Sequence, residues 1–229
     1  MAVSRSSAVG LIAQLSPIES GSAQTGVLAE LRRAILAGGV APGTPIPVNE
    51  VAKVFGVSPI PVREALKTLI GEGLVDHRTN SGYFVARLTS DELREIYFVR
   101  GVLERAALAQ AVEKMTDDDL ALARAEHQAL QESTISDDRR GYHRHSRRFH
   151  QALVDPCGMP RLLTMFETTW NMTEPFQIMR TVDANFQLTM HADHERMISA
   201  AQARDADALV ELARVHHGRL ESAILATGG

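Results

Sequence analysis

The 229-residue sequence holds a single cysteine, Cys157, and only 5% aromatic residues. One thiol excludes an intramolecular disulfide framework and any paired-cysteine zinc knuckle. With so few rings, Leu, Ala, Val, Ile and Met must fill the core. Long apolar runs are also missing. The opening stretch MAVSRSSAVGLIAQL has only a short apolar segment, and nothing approaches the roughly 20 residues that span a bilayer. The chain therefore reads as cytoplasmic, with no membrane partner. What is present, 45% apolar and 23% charged residues, is the balance of a globular chain. At about 100 to 200 residues per domain, the length allows one large domain or two modest ones.

A strong positive charge is absent as well, since the net charge is −4. Residues 1–86 nevertheless carry seven Lys/Arg against six Asp/Glu, or +1, while the remainder carries 17 against 22, or −5. What positive balance exists lies at the N-terminal end.

Residues 1–24, rich in Ser, Ala and Gly, read as a mobile arm or a loosely held helix. GVLAELRRAILAG then sets Val27, Leu28, Leu31, Ile35 and Leu36 on one helical stripe, with Gly38 and Gly39 as stops. After a turn, APGTPIPV, the apolar positions Val51, Ala52 and Phe55 fit a short helix ending at Gly56. SPIPVREALKTLIGEG is the next helix, with Ser58 at its N-cap and prolines in the entry turn, where a missing N–H is tolerated. LVDHRTNSGYFVA alternates β-prone residues around Thr79-Asn80-Ser81-Gly82, which is hairpin chemistry. Three helices followed by a hairpin over 25–87 predict a winged helix-turn-helix. The rest, 88–229, predicts six helices in an antiparallel bundle: Asp91–Lys114, Asp117–Glu132, Asp138–Val154, Pro160–Arg180 broken at Pro175, Asn185–Arg204 and Asp205–Ala226. The fold class is thus mainly α, with a small β-hairpin wing.

Arg63 falls in the first turns of the predicted recognition helix, where a guanidinium reaches guanine O6 and N7 bidentately. Ser58, at the same helix N-terminus, suits a phosphate. Lys67, Arg32, Arg33, Lys53 and Arg78 are further phosphate candidates, each set against the ordinary reading of a solvated surface charge. Asn80, Ser81 and Gly82 form a wing tip small enough to approach a minor groove.

The segments LRRAILAGGVAPGT, VAKVFGVSPIPVREALKTLIGEGLV and SGYFV, in that order and spacing, resemble the GntR family signature, and PVREAL followed by GEGLV is the most specific part. The helical half resembles the FadR subfamily with its FCD effector domain, so the likeness covers nearly the whole chain after the arm. It implies a homodimeric, ligand-responsive transcription factor on double-stranded operator DNA, a repressor released by a small organic acid. Two positions depart from the family pattern: Pro59 and Asn49 stand where arginines often occur. Both losses remove DNA contacts, which implies an altered operator or weaker binding.

SRRFHQALV resembles the subfamily's DxxFH motif, with His150 at its histidine and Ser146 at its aspartate. HADHERMISAAQARDADALVELARVHHGRL resembles the next part and supplies His194 and His216. The resemblance implies that these three hold one divalent ion per chain, Zn, Ni, Fe or Mn, with weakened affinity because a serine hydroxyl replaces a carboxylate. Ser146 and His150, at i and i+4, share a helix face. His191 is a substitute ligand; His145 and His217, beside the motif positions, are expected to point elsewhere, and His127 and His143 read as hydrogen-bonded or surface residues. Without metal, three imidazoles still suit an anion.

The resemblance also places Arg100 toward the effector, where a fork of donors suits a carboxylate. The plainer alternative is an i, i+4 pair with Glu104. Asn171, Met190, Trp170 and Phe186 are read as pocket residues that compete with an ordinary core role. Cys157, in DPCGMP, reads as a turn residue without a redox partner. Two rivals stand beside the regulator. One is a metal-dependent hydrolase using Asp193 or Glu195 as base, although both adjoin His194 on the helix and share its face poorly. The other is a metabolite- or metal-binding regulator that has lost its operator through Pro59 and Asn49.

Overall fold

The computed structural model describes residues 10–17, 22–37, 39–176 and 184–227. They form two compact units, one taking the chain up to Leu88 together with Asn171–Phe176, the other taking Thr89–Trp170 and the chain from Gln177 onward.

In the first unit, α1 (Ala23–Leu36) begins at Ser22, whose hydroxyl accepts the Thr25 N–H at 3.2 Å. Val27, Leu31 and Ile35 are buried on the expected stripe, joined by Ala34. Of the two expected stops, Gly38 lies outside the described residues. The order continues with β1 (Pro45–Ile46), α2 (Val48–Phe55), α3 (Pro59–Gly71), β2 (Val75–Arg78) and β3 (Gly82–Val85). Gly56 closes α2 at φ 65, a left-handed conformation that glycine adopts without steric cost. That cap turns the chain into α3 within three residues. Val62, Ala65, Leu66 and Leu69 bury one face of α3 in a core shared with Leu31, Val51, Phe55 and Val85. Each fully buried Leu or Val contributes about 1.5–3 kcal/mol, and the burial fixes which side of α3 faces solvent.

The sheet is antiparallel in the order β1-β3-β2, with Val75 opposite Val85, Arg78 opposite Gly82 and Ile46 opposite Tyr83. Asn80 at φ 62 and Gly82 at φ 91 make the expected turn. Strand β1 adds to the expected hairpin, because APGTPIPV reads as turn chemistry. Pro45 is tolerated there because β1 is an edge strand, which needs fewer backbone donors. Part of the expected arm is also docked: Leu11 is fully buried in this core, with Ile12 and Leu15 packed beside it. The other arm residues, 1–9 and 18–21, lie outside the described residues.

The second unit is helical, with α4 (Ser90–Ala111), α5 (Asp117–Ile135), α6 (Arg139–Val154), α7 (Pro160–Thr173) as far as Trp170, α8 (Ala184–Gln202) and α9 (Ala206–Thr227). No strand occurs among its described residues. Thr89 and Thr116 build capping boxes with Glu92 and Asp119. Asp138 caps α6 through the Gly141 N–H at 3.0 Å, and Asp205 accepts the Ala208 N–H at 2.9 Å before α9. Asp138 and Asp205, where two of the predicted helices begin, therefore lie just outside them. Helix α7 ends at Thr173 and a 3-10 turn, Glu174–Phe176, carries the break at Pro175; the expected continuation to Arg180 lies outside the described residues. Leu108, Phe149, Leu153, Phe166, Met197 and Leu209 anchor the core. Cys157 is free and buried in a short turn, Asp155–Cys157. Among the described residues no helix is long and apolar enough to cross a membrane.

Candidate DNA-reading face and ligand cavity

On α3, the residues between the buried positions form the outer face. Arg63 and Lys67 are exposed, one turn apart, and Arg63 has no hydrogen-bond or ion-pair partner among the described residues. Lys67 pairs with Glu64 at 2.8 Å on the same face. Ser58 occupies the N-cap, but its side chain makes no capping hydrogen bond, so its hydroxyl is uncommitted. Lys53 and Asn49 are exposed on α2, and Asn80 and Ser81 on the wing, with Gly82 half-buried. Arg78 lies over the Phe84 ring at 4.8 Å. Arg32 is tied into the fold instead, its Nε and Nη2 donating to both oxygens of Glu72 at 2.9 and 2.5 Å. Arg33 donates to Glu30 and to the Gln14 carbonyl. The structure thus sets Arg63, Lys67 and Ser58 together on one helix, while Arg32 and Arg33 have partners inside their own unit.

The helical unit encloses a cavity of about 420 Å³, counting the space open to solvent. Of the residues singled out from the sequence, Arg100, Ser146, His150, Trp170, Met190, His194 and His216 line it. Asn171 and Phe186 are not in its lining. Residues that the sequence did not direct there are Tyr97, Tyr142, His143, His217 and Leu220.

Arg100 is 1% exposed, an unusual position for a guanidinium. Its carbon stands 4.3 Å from the centre of the Tyr97 ring and 4.1 Å from that of Trp170, and Nη2 donates to the Thr169 carbonyl at 2.8 Å. The aromatic faces support the cation where water is scarce. The alternative pairing with Glu104 is corrected here, since the ion pairs of Glu104 are with His150 and His217 and not with Arg100. His150 Nδ1 donates to Oε1 at 2.6 Å and His217 Nε2 donates to Oε2 at 2.5 Å. Burial alone would raise the Glu104 carboxyl, but the facing histidines and their hydrogen bonds hold it well below the usual range.

That arrangement also corrects the expectation for His217, which points inward and is 2% exposed. The cause lies on α4: Gly101 has no side chain, and a Cβ there would stand 3.0 Å from His217 Cγ. Helix α9 approaches closely enough to bury two adjacent histidines. His145, by contrast, points elsewhere as expected and bonds Glu126 at 2.6 Å.

His150, His194 and His216 place one ring nitrogen each within 4.8 Å of one another, and all three are buried. Glu104 accepts the hydrogen bond from His150 Nδ1, which leaves Nε2 as the lone-pair nitrogen. Burial, reinforced by the neighbouring histidines, holds His194 and His216 well below the ordinary imidazole range, so both are neutral ligands at pH 7. His194 has no hydrogen bond at either nitrogen, nor His216 at Nδ1. These orphaned nitrogens fit a cation, and the histidines could hold a metal. His191 does not join them; its group is His127 and His194. Asp193 is buried beside Arg219, 3.0 Å away, and its Oδ2 is 3.9 Å from His216 Nδ1. Its neighbours are cations and a ring edge.

The model of the FCD domain matches residues 95–219, and that of the bacterial regulatory proteins of the gntR family matches 23–85. The chain belongs to the GntR family and carries an FCD domain. This GntR-family chain is 28% identical over 208 residues to the HTH-type transcriptional repressor RspR of Escherichia coli, covering 89% of itself and 88% of that protein. To the HTH-type transcriptional repressor GlaR of the same organism it is 27% identical over 194 residues, covering 81% and 88%. A putative GntR regulator from Rhodococcus sp. RHA1 superposes with a TM-score of 0.78 at 25% identity, over 90% of this chain and 99% of that one. Escherichia coli McbR/YncC shares the fold, with a TM-score of 0.78 at 23% identity over 92% and 100%. The regulator's relatives are transcriptional regulators, and it is a DNA-binding, ligand-responsive member of that group.

Proposed function

We propose that this regulator is a homodimeric repressor that reads its operator through α3 and releases it when a small organic acid enters the helical cavity. The observation that carries this reading is Arg100, a buried guanidinium braced by two aromatic faces in a cavity it shares with His150, His194 and His216. Such a fork recognises a carboxylate. His150, His194 and His216 hold one divalent transition ion per chain, Zn, Ni, Fe or Mn, and the bound ion supplies a Lewis-acidic position for a ligand oxygen. Ser146 lines the same cavity and contributes a neutral hydroxyl, so the site compensates less of the cation's charge than a carboxylate set. Glu104 fixes the His150 ring, and Arg100 orients the acid.

On the DNA side, Arg63 reads guanine, Ser58 and Lys67 position phosphate, and Lys53 and Arg78 add charge. Asn80, Ser81 and Gly82 approach the minor groove, and Arg32 contributes only by leaving Glu72. The chain works in the cytoplasm and performs no catalysis: the carboxylates that adjoin His194 in the sequence are Asp193, beside Arg219, and the exposed Glu195. The domain boundaries are an arm over 1–24, a DNA-binding domain over 25–87 and an effector-binding and dimerisation domain over 88–229. Phe98, Val99 and Val102 on α4 are 56%, 41% and 42% exposed, an apolar strip that a second copy would cover.

A ligand moves operator affinity only through its differential affinity for two dimer geometries, typically about 1–3 kcal/mol. Acetate, lactate, succinate and citrate are screened for thermal stabilisation of the wild type and of Arg100→Ala. The expected hit stabilises only the wild type and weakens its operator complex about 5- to 150-fold. A hit that binds through Arg100 and leaves operator affinity unchanged would sink the coupling.

A further inference from the structure

A second group of histidines lies in the helical unit, and the family-like triad does not account for it. His127 on α5 and His191 on α8, each 5% exposed, place one ring nitrogen apiece within 4.8 Å of each other and of a nitrogen of His194. Their rings surround a common point: His127 stands 5.6 Å from His191 and 5.5 Å from His194 between centroids, and His191 stands 6.4 Å from His194.

The hydrogen bonding is compatible with a free lone pair on each ring. The Thr134 hydroxyl has one proton, and it donates to the Leu130 carbonyl at 3.2 Å. With its proton on Leu130, the hydroxyl oxygen accepts from His191 Nε2, 3.0 Å away. His191 is then the Nε2–H tautomer, with its lone pair on Nδ1, and that atom is buried without a hydrogen-bond partner. His127 Nε2 and both nitrogens of His194 are buried and unpartnered in the same way. A buried polar atom without a partner is costly, and here at least one such atom lies on each of the three rings that surround one point.

We propose that His127, His191 and His194 form a second transition-ion site, distinct from the His150, His194 and His216 triad and sharing only His194 with it. Three neutral imidazoles suit late first-row ions such as zinc. Zinc–nitrogen bonds of about 2.0–2.1 Å set nitrogens about 3.3 Å apart in a tetrahedron, so the rings close by at most about 1.5 Å. Thr134 acts as the outer partner that fixes the His191 tautomer, the usual support for a ligating histidine. Glu195, exposed next to His194, supplies the nearest negative charge to His127 and His191. The neutral His194 has a single lone pair and serves one ion at a time; filling both triads together sends its remaining N–H proton to solvent.

The test uses the full chain, stripped with a chelator, reloaded with zinc alone, dialysed and assayed for zinc per chain. His216→Ala disables the first triad and keeps the His150–Glu104 bond, and it is expected to retain one zinc. The double variant His191→Ala/His216→Ala is expected to lose it. His191→Ala alone is expected to keep one zinc in the first triad, and loss of all zinc there, with retention by His216→Ala, would fault the first triad and leave the second standing. Far-UV circular dichroism verifies folding, and His216→Asn replaces His216→Ala if the latter unfolds. A folded His216 variant that binds no zinc, or a double variant that binds as much as the single one, overturns the proposal.

Discussion

The two units of this regulator treat polarity in opposite ways. In the N-terminal unit the core is apolar, Thr44 is the one buried polar residue among those described before residue 89, and the charged groups of α3 lie outside. In the helical unit Arg100, Glu104, Asp193 and seven histidines are buried. A surface built to meet phosphate and base edges needs a rigid apolar backing, so that its charges are held in place at little desolvation cost. A cavity built to take a small anion or a metal needs donors and lone pairs inside, where the low dielectric strengthens them and leaving them unmatched is expensive.

The sharpest way to break this contrast is Glu104→Ala. It strands the N–H groups of His150 and His217, two buried donors at about 1–3 kcal/mol each, for a total of roughly 2–6 kcal/mol. Thermal unfolding should show the helical unit melting early. Acidification comes next, measured on the chelator-treated protein. His194, His216 and His217 bind protons less readily folded than at their ordinary value of 6.5, so the unfolded state takes up more protons as pH falls. Their stabilising contribution is complete above about pH 6.5 and is lost progressively below it. Glu104, also depressed, extends the loss below its ordinary 4.5. The N-terminal unit buries no histidine among its described residues, and its melting should hold steady between about pH 6.5 and 4.5, where the helical unit weakens; below 4.5 its own depressed Glu30 joins the loss.

Arg63→Ala reverses the pattern. Operator affinity falls by about 1–3 kcal/mol, roughly 5- to 150-fold, and thermal unfolding is unchanged, because the side chain supports nothing in the fold. Lys67→Ala has the smallest effect. As a phosphate contact already shared with Glu64, it should flatten the salt dependence of binding by at most about one unit, equally on all sequences.

Much of the N-terminal unit was legible because its signals are local: the stripe of α1, the Gly56 cap, the entry prolines of α3 and the turn at Asn80 each act within a few residues. Strand β1 was not, since Pro45–Ile46 pairs only through tertiary contact with β3. In the helical unit, resemblance directed attention to His150, His194, His216 and Arg100, and these do meet in one cavity. His217 was misjudged because its inward place depends on a glycine more than a hundred residues earlier. His127 was set aside as an isolated histidine, yet the stripe Leu120, Ala123, His127 and Leu130 keeps a helical period and puts it on the buried face of α5. Its grouping with His191, 64 residues later, belongs to packing alone.

The most direct test of the account is capture of genomic fragments by the purified protein at about 150 mM salt, followed by sequencing, with Arg63→Ala carried in parallel. The account predicts a short shared palindromic site enriched by the wild type and lost with the variant. Equal enrichment of that site by Arg63→Ala, or only diffuse retention by the wild type, would contradict it and leave the buried histidines of the helical unit as the place where the function lies.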